Sequence, residues 1–127
     1  MRLLLDTNIL IALTPRPSRT LNARLSAAIR AAENVSFVSV ASIWEVAIKT
    51  RLGKLDTGLP LNEFAAFLEA IGLTLLPIGL DHVLAELDPE PSTRDPFDRL
   101  LLAQCRVEGL RLVTLDRVLA AHPLAWR

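Results

Sequence analysis

The sequence predicts an α/β fold: a three-layer α/β/α sandwich built around a central, mainly parallel sheet. Two observations carry this expectation. Four short apolar runs are each followed by a stretch with helical spacing, and such alternation gives parallel sheets covered on both faces. The composition, 51% hydrophobic and 22% charged over 127 residues, supplies a core to match; a chain this long buries roughly two-thirds of its unfolded surface. No repeat, low-complexity tract or long linker interrupts it, so residues 1–127 read as one domain.

Arg2 to Leu5 is an apolar run stopped by Asp6-Thr7-Asn8, as expected of a buried strand ending in a turn. A helix follows from about Ile9 and is broken by Pro15-Arg16-Pro17-Ser18, because proline constrains its own backbone and that of the residue before it. Leu21, Leu25, Ala28, Ile29 and Ala32 recur at helical spacing and mark a helix from Leu21 to Ala32. Val35 to Val40 is rich in β-branched and aromatic residues, which suits a second strand. Trp44, Ala47, Ile48 and Leu52 form the apolar stripe of a helix from about Ser42 to Leu52, stopped by Gly53.

Leu61, Phe64, Ala65, Leu68 and Ile71 mark the next helix by the same spacing. A third strand over Leu73 to Ile78 and a short helix over Leu80 to Leu87 follow. Beyond the loop Asp88 to Ser92, a helix runs from about Pro96 to Val107 and is closed by Gly109. Proline suits its first turn, where the missing N–H had no intrahelical partner. Leu110 to Leu115 is the fourth strand, and Arg117 to Ala121 a last short helix.

Composition also excludes several classes. No apolar run approaches the roughly 18 residues of a membrane span, and Leu3 to Leu13 lacks a small-residue cleavage site, so neither membrane insertion nor a signal peptide is expected. A single cysteine excludes an internal disulfide and a multi-cysteine zinc site. A cytoplasmic location is the expectation. The 14 basic and 14 acidic residues cancel, so net charge gives no sign of nucleic-acid binding. Only Lys49 and Lys54 are lysines; the arginine bias suits phosphate contacts, though GC-rich coding explains it as well.

The informative feature is where the acids fall. Asp6 follows strand one, and Glu45 lies five residues past Val40, in the first turn of the following helix. Asp95 and Asp98 open the helix near Pro96, and Asp116 follows strand four. In an open parallel sheet, strand carboxyl ends and the next helix N-termini share the edge that holds the ligand crevice. Converging carboxylates repel one another, and a hard divalent cation such as magnesium or manganese relieves that repulsion. Bound cations of this kind activate water for phosphodiester hydrolysis.

Each acid also has a plainer role. Asp6, Asp95 and Asp116 can cap helices, Glu45 can offset a helix dipole, and Asp98 can pair with Arg94 or Arg99. Cys105 continues the face of Leu101 and Leu102 and reads as a core thiol. Trp44 reads as packing, and His122, before a proline near the end, as a surface residue. His82 is isolated. Arg16 and Arg19 sit in the proline loop, which reads as solvated.

Four segments together resemble the PIN domain, and within it the VapC-type toxins of bacterial toxin–antitoxin pairs. They are Leu3-Leu4-Leu5-Asp6-Thr7-Asn8, Ser39-Val40-Ala41-Ser42-Ile43-Trp44-Glu45, Arg94-Asp95-Pro96-Phe97-Asp98-Arg99-Leu100-Leu101-Leu102-Ala103-Gln104 and Leu112-Val113-Thr114-Leu115-Asp116. The resemblance implies a PIN-like fold and a magnesium- or manganese-dependent endoribonuclease acting as the toxin of such a pair. By position it implies Asp6, Glu45, Asp98 and Asp116 as the catalytic, metal-holding acids, with Asp6 and Asp98 the principal ligands. Thr7 and Asn8 order the loop after strand one, Thr114 lines the site, and Asp95 becomes a helix cap or outer-shell carboxylate. It further implies an RNA substrate, a homodimer and a cognate antitoxin lying in or beside the acidic groove. The stretches Ile9 to Leu13 and Ala23 to Ile29 are apolar enough to offer such partners a surface, but their composition favours core. The rival readings are a phosphoacceptor signalling module, an interaction domain whose acids only cap helices, and a nuclease acting on another nucleic acid.

Overall fold

The computed structural model describes residues 1–127. Its elements in chain order are β1 (Arg2–Leu5), α1 (Thr7–Ala12), α2 (Ala23–Arg30), β2 (Val35–Ser39), α3 (Val40–Arg51), α4 (Leu61–Ala70), β3 (Thr74–Leu76), α5 (Leu80–Leu84), α6 (Pro96–Glu108), β4 (Arg111–Val113) and α7 (Arg117–Ala120). The four strands form one sheet in the order β3-β2-β1-β4. Every pairing is parallel: Leu4 faces Phe37 on one side and Leu112 on the other, and Val38 faces Leu75. The α/β class and the layered, parallel architecture are those of a PIN-like fold.

β1 shows why its apolar run is continuous. Side chains alternate between faces of a strand, and Leu3, Leu4 and Leu5 are all fully buried. Leu3 and Leu5 join Ile9, Leu10, Val38, Val46, Phe64 and Leu68 in one core. Leu4 points the other way, into a second core with Ala41, Leu101, Leu102, Cys105, Leu112 and Leu119. Both faces are therefore dry, as a central parallel strand requires.

Local chemistry sets the helix ends, and several lie a few residues from their expected positions. α3 begins at Val40 rather than Ser42, because the Ser39 side chain caps it by accepting the Ala41 N–H at 3.0 Å. β2 accordingly stops at Ser39. α1 begins at Thr7 rather than Ile9, capped by Asp6. α2 is shorter than expected, opened by Asn22, whose side chain accepts the Leu25 N–H at 2.8 Å. α5 ends at Leu84 instead of Leu87, and β3 and β4 pair over only three residues each. α6 matches closely: Asp95 caps it, Pro96 occupies its first turn, and Gly109 closes it at φ 68°. That left-handed conformation costs glycine nothing and other residues a steric clash.

The core reading of the two apolar stretches holds, and one expectation about the surface, that for His122, is corrected. Ile9, Leu10, Ile11, Leu25 and Ala28 are buried in the first core, so these stretches serve packing rather than an open partner surface. His122 is only 7% exposed: its Nε2 meets the Pro89 carbonyl at 2.9 Å, and its Nδ1 accepts the Leu124 N–H at 3.2 Å. The ring ties the C-terminal tail to the Asp88–Ser92 loop instead of facing solvent. No helix is long and apolar enough to cross a membrane.

Candidate active site

Sheet order brings the first acid to the centre. β1 lies between β2 and β4, so the residues after their carboxyl ends are neighbours. The Asp6 N–H extends the ladder by donating to the Val113 carbonyl at 2.9 Å, which places Asp6 beside the Thr114–Asp116 turn. Its side chain, on a residue 4% exposed, accepts from the Thr7 N–H through Oδ1 at 2.7 Å. Oδ2 accepts from the Thr114 hydroxyl at 2.6 Å. Thr114 Oγ1 in turn accepts the Asp116 N–H at 3.0 Å, so one threonine couples two of the acids.

Thr7 performs the same service toward α3. Its Oγ1 lies 2.9 Å from both Glu45 Oε1 and Ser42 Oγ; a carboxylate only accepts, so the single threonine hydrogen goes to Glu45. Lys49, one turn on, donates to Glu45 Oε2 at 2.7 Å. Because α3 starts two residues early, Glu45 stands in its second turn. No acid occupies the first turn, so the expected first-turn placement and its dipole role do not hold.

Asp95 and Asp98, three residues apart, have different surroundings. Asp95 caps α6, its Oδ1 accepting the Phe97 N–H at 2.8 Å. Asp98 caps nothing; its Oδ2 accepts from the Thr93 hydroxyl at 3.2 Å. Arg99 pairs with Glu90 rather than with Asp98. Asp116 caps α7, its Oδ1 accepting from Val118 N at 2.8 Å and Leu119 N at 3.2 Å.

Electrostatics shows which acids share a field. The Asp98 carboxyl is pushed up to about 6 by burial first, then by the charges of Asp95, Asp6 and Asp116. Burial likewise raises Asp6 above the usual carboxylate range, against the lowering bonds from Thr114 and Thr7, and Glu45 and Asp116 raise it further. Asp6, Glu45, Asp98 and Asp116, with Asp95 acting on Asp98, therefore share one field at the carboxyl edge of the sheet. Asn8 is exposed beside it.

The donor chemistry fits a hard divalent cation: the group is all carboxylate, with neither thiolate nor imidazole in it. A cation there offsets the repulsion that adds to burial in raising Asp6 and Asp98. No three acidic, histidine or cysteine side chains already stand close enough to enclose an ion. Magnesium asks for less, since it is commonly held by one or two carboxylates, with waters and substrate phosphates completing its shell.

Three contributors escaped the sequence reading. Lys49 had a signal in its i,i+4 spacing from Glu45; Ser42 and Thr93 had none beyond their nearness in sequence to the acids. Trp44 is corrected from a packing residue to an exposed one, 57% accessible, with Phe97 edge-on at 5.5 Å between ring centres. Cys105 is the buried core thiol expected, its pKa pushed up to about 12 chiefly by burial. His82 is buried too, its Nδ1 accepting the Gly79 N–H at 2.9 Å at the start of α5. The three surface cavities are lined by other residues.

The family model for the PIN domain matches residues 3–123 of the chain. No curated protein matches it.

Proposed function

Since the chain belongs to the PIN-domain family, whose members are generally metal-dependent nucleases, we propose that it is a magnesium- or manganese-dependent endoribonuclease, the VapC-type toxin of a toxin–antitoxin pair. One observation carries the reading. Four carboxylates from separate segments meet at the edge where a parallel sheet binds ligands, and Asp6 and Asp98 are raised there by burial first, with the charges of neighbouring acids adding to it. A bound divalent cation supplies an activated water and charge to offset the leaving oxygen of a phosphodiester.

The chain's own residues divide the remaining work. Asp6, oriented by the Thr7 N–H and the Thr114 hydroxyl, and Asp98, oriented by Thr93, are the principal ligands. Glu45, fixed by Thr7 and Lys49, holds the attacking water, and Asp116 completes the cluster. Asn8 and Thr7 order the turn after β1, and Asp95 supports the start of α6. In-line attack leaves a 5′-phosphate and a 3′-hydroxyl. The reading includes a homodimer and a cognate antitoxin that covers the acidic edge.

One observation favours the rival of an interaction domain: Asp6, Asp95 and Asp116 all cap helices. Asp98 and Glu45 cap none, and a rival built on caps gives them no task. The test is incubation of the purified, antitoxin-free protein with total RNA in magnesium, manganese or chelator, beside Asp98→Asn and Asp95→Asn. Metal-dependent fragments that vanish with Asp98→Asn and persist with Asp95→Asn are expected, because asparagine still caps α6. Cleavage that survives Asp98→Asn overturns the ligand assignment, and a folded wild type that neither cleaves RNA nor binds manganese overturns the nuclease reading.

A further inference from the structure

Trp44 is the most exposed aromatic side chain in the chain, and it and the ring it touches each adjoin a candidate acid in sequence. It precedes Glu45 on α3, and its partner Phe97 precedes Asp98 on α6. Consecutive helical residues lie about 100° apart around the axis, so each ring is one step round its helix from a candidate acid. The two rings meet edge-to-face, with centroids 5.5 Å apart and an interplanar angle of 69°. That contact fixes the indole while leaving 57% of Trp44 open to water. Val40, one turn before Trp44, is exposed as well.

An exposed indole at this position offers a face to a ligand, and charge narrows the choice. The chain has no net charge and its candidate site is a cluster of acids, so phosphate attraction, the usual source of nucleic-acid affinity, is weak here. An unpaired base is uncharged, is not repelled by carboxylates, and stacks on aromatic faces whatever its sequence. Resting on the nuclease reading above, we propose that Trp44, held by Phe97, is the stacking platform for an unpaired base of the RNA next to the cleaved phosphodiester. The ring can take only an unpaired base, since bases in a duplex have their faces already stacked.

Trp44 is here a binding and positioning residue. Intrinsic fluorescence tests this without turnover: a Trp126→Phe background leaves Trp44 as the sole indole, and chelator prevents cleavage. Titration with a short single-stranded oligoribonucleotide should quench the emission, and the same sequence annealed to its complement should not. Trp44→Ala should weaken single-strand binding by roughly ten-fold or more, and Trp44→Phe should retain most of it. In metal-dependent cleavage the loss should fall mainly on KM.

Unchanged affinity and KM in Trp44→Ala, with cleavage still abolished by Asp98→Asn, overturns the platform and leaves the nuclease standing. Equal quenching by duplex overturns the preference for unpaired bases. A variant that binds RNA normally but loses self-association in sedimentation makes Trp44 a protein contact instead. A wild type that neither binds nor cuts RNA removes the nuclease reading and the platform with it.

Discussion

At Asp98 two opposing demands meet in one carboxylate. Burial and the charges of Asp95, Asp6 and Asp116 hold its pKa at about 6, above the ordinary 3.8, and the Thr93 hydroxyl only partly opposes them. The folded protein therefore holds this proton more tightly than the unfolded chain does. Stability from that source is fully present below pH 3.8 and is lost as pH rises toward 6. Asp6, raised chiefly by burial, acts in the same direction. Thermal unfolding in chelator should show metal-free wild type losing stability across this window. Asp98→Asn should flatten the loss and be more stable at pH 7 by roughly 1 kcal/mol, a figure reduced from the full shift because water reaches the carboxylate. An Asn variant less stable than wild type at pH 7 would make Asp98 a structural residue.

Helix starts hold most of the acids, and at this scale two roles overlap. A helix N-terminus presents unpaired N–H groups and a partial positive charge, so an acid there both caps and is stabilised. Asp6, Asp95 and Asp116 do this for α1, α6 and α7, which lowers the cost of crowding carboxylates at one edge. The C-terminal tail depends on a different anchor, the buried His122 ring between the Pro89 carbonyl and the Leu124 N–H. His122→Ala strands both groups and should cost about 1–3 kcal/mol, read as a lower midpoint in denaturant unfolding. An unchanged midpoint would mean that water replaces the ring.

Across the whole molecule, the order β3-β2-β1-β4 decides which acids are neighbours. With β1 between β2 and β4, Asp6 is central, and α3 and α6 bring Glu45 and Asp98 within its field. The two cores bury both faces of the sheet beneath that edge. Repulsion among acids carried on such a frame is relieved by a cation. Adding magnesium or manganese at neutral pH should raise the melting temperature, by about 2.7 kcal/mol of stability at a hundred-fold excess over Kd. Chelator should reverse the gain, and Asp98→Asn should shrink it. A melting temperature indifferent to both metals would favour the interaction-domain reading.

The sequence by itself determined the layered α/β class, the strand and helix order, and the positions after strands where acids fall. These follow from local periodicity and turn chemistry, which neighbouring residues specify. It also made Asp95 and Asp116 recognisable as caps, because a cap acts on N–H groups two or three residues on. Exact helix starts escaped it: Ser39, read as part of strand two, caps α3, and a two-residue difference moved Glu45 into the second turn. Tertiary structure alone decided the rest. Thr114 reaches Asp6 across 108 residues and Thr7 reaches Glu45 across 38, distances over which no periodicity carries information. Burial was decided there too, turning His122 inward and Trp44 outward, because the space left by packed neighbours, and not a residue's own polarity, determines which side chains water reaches.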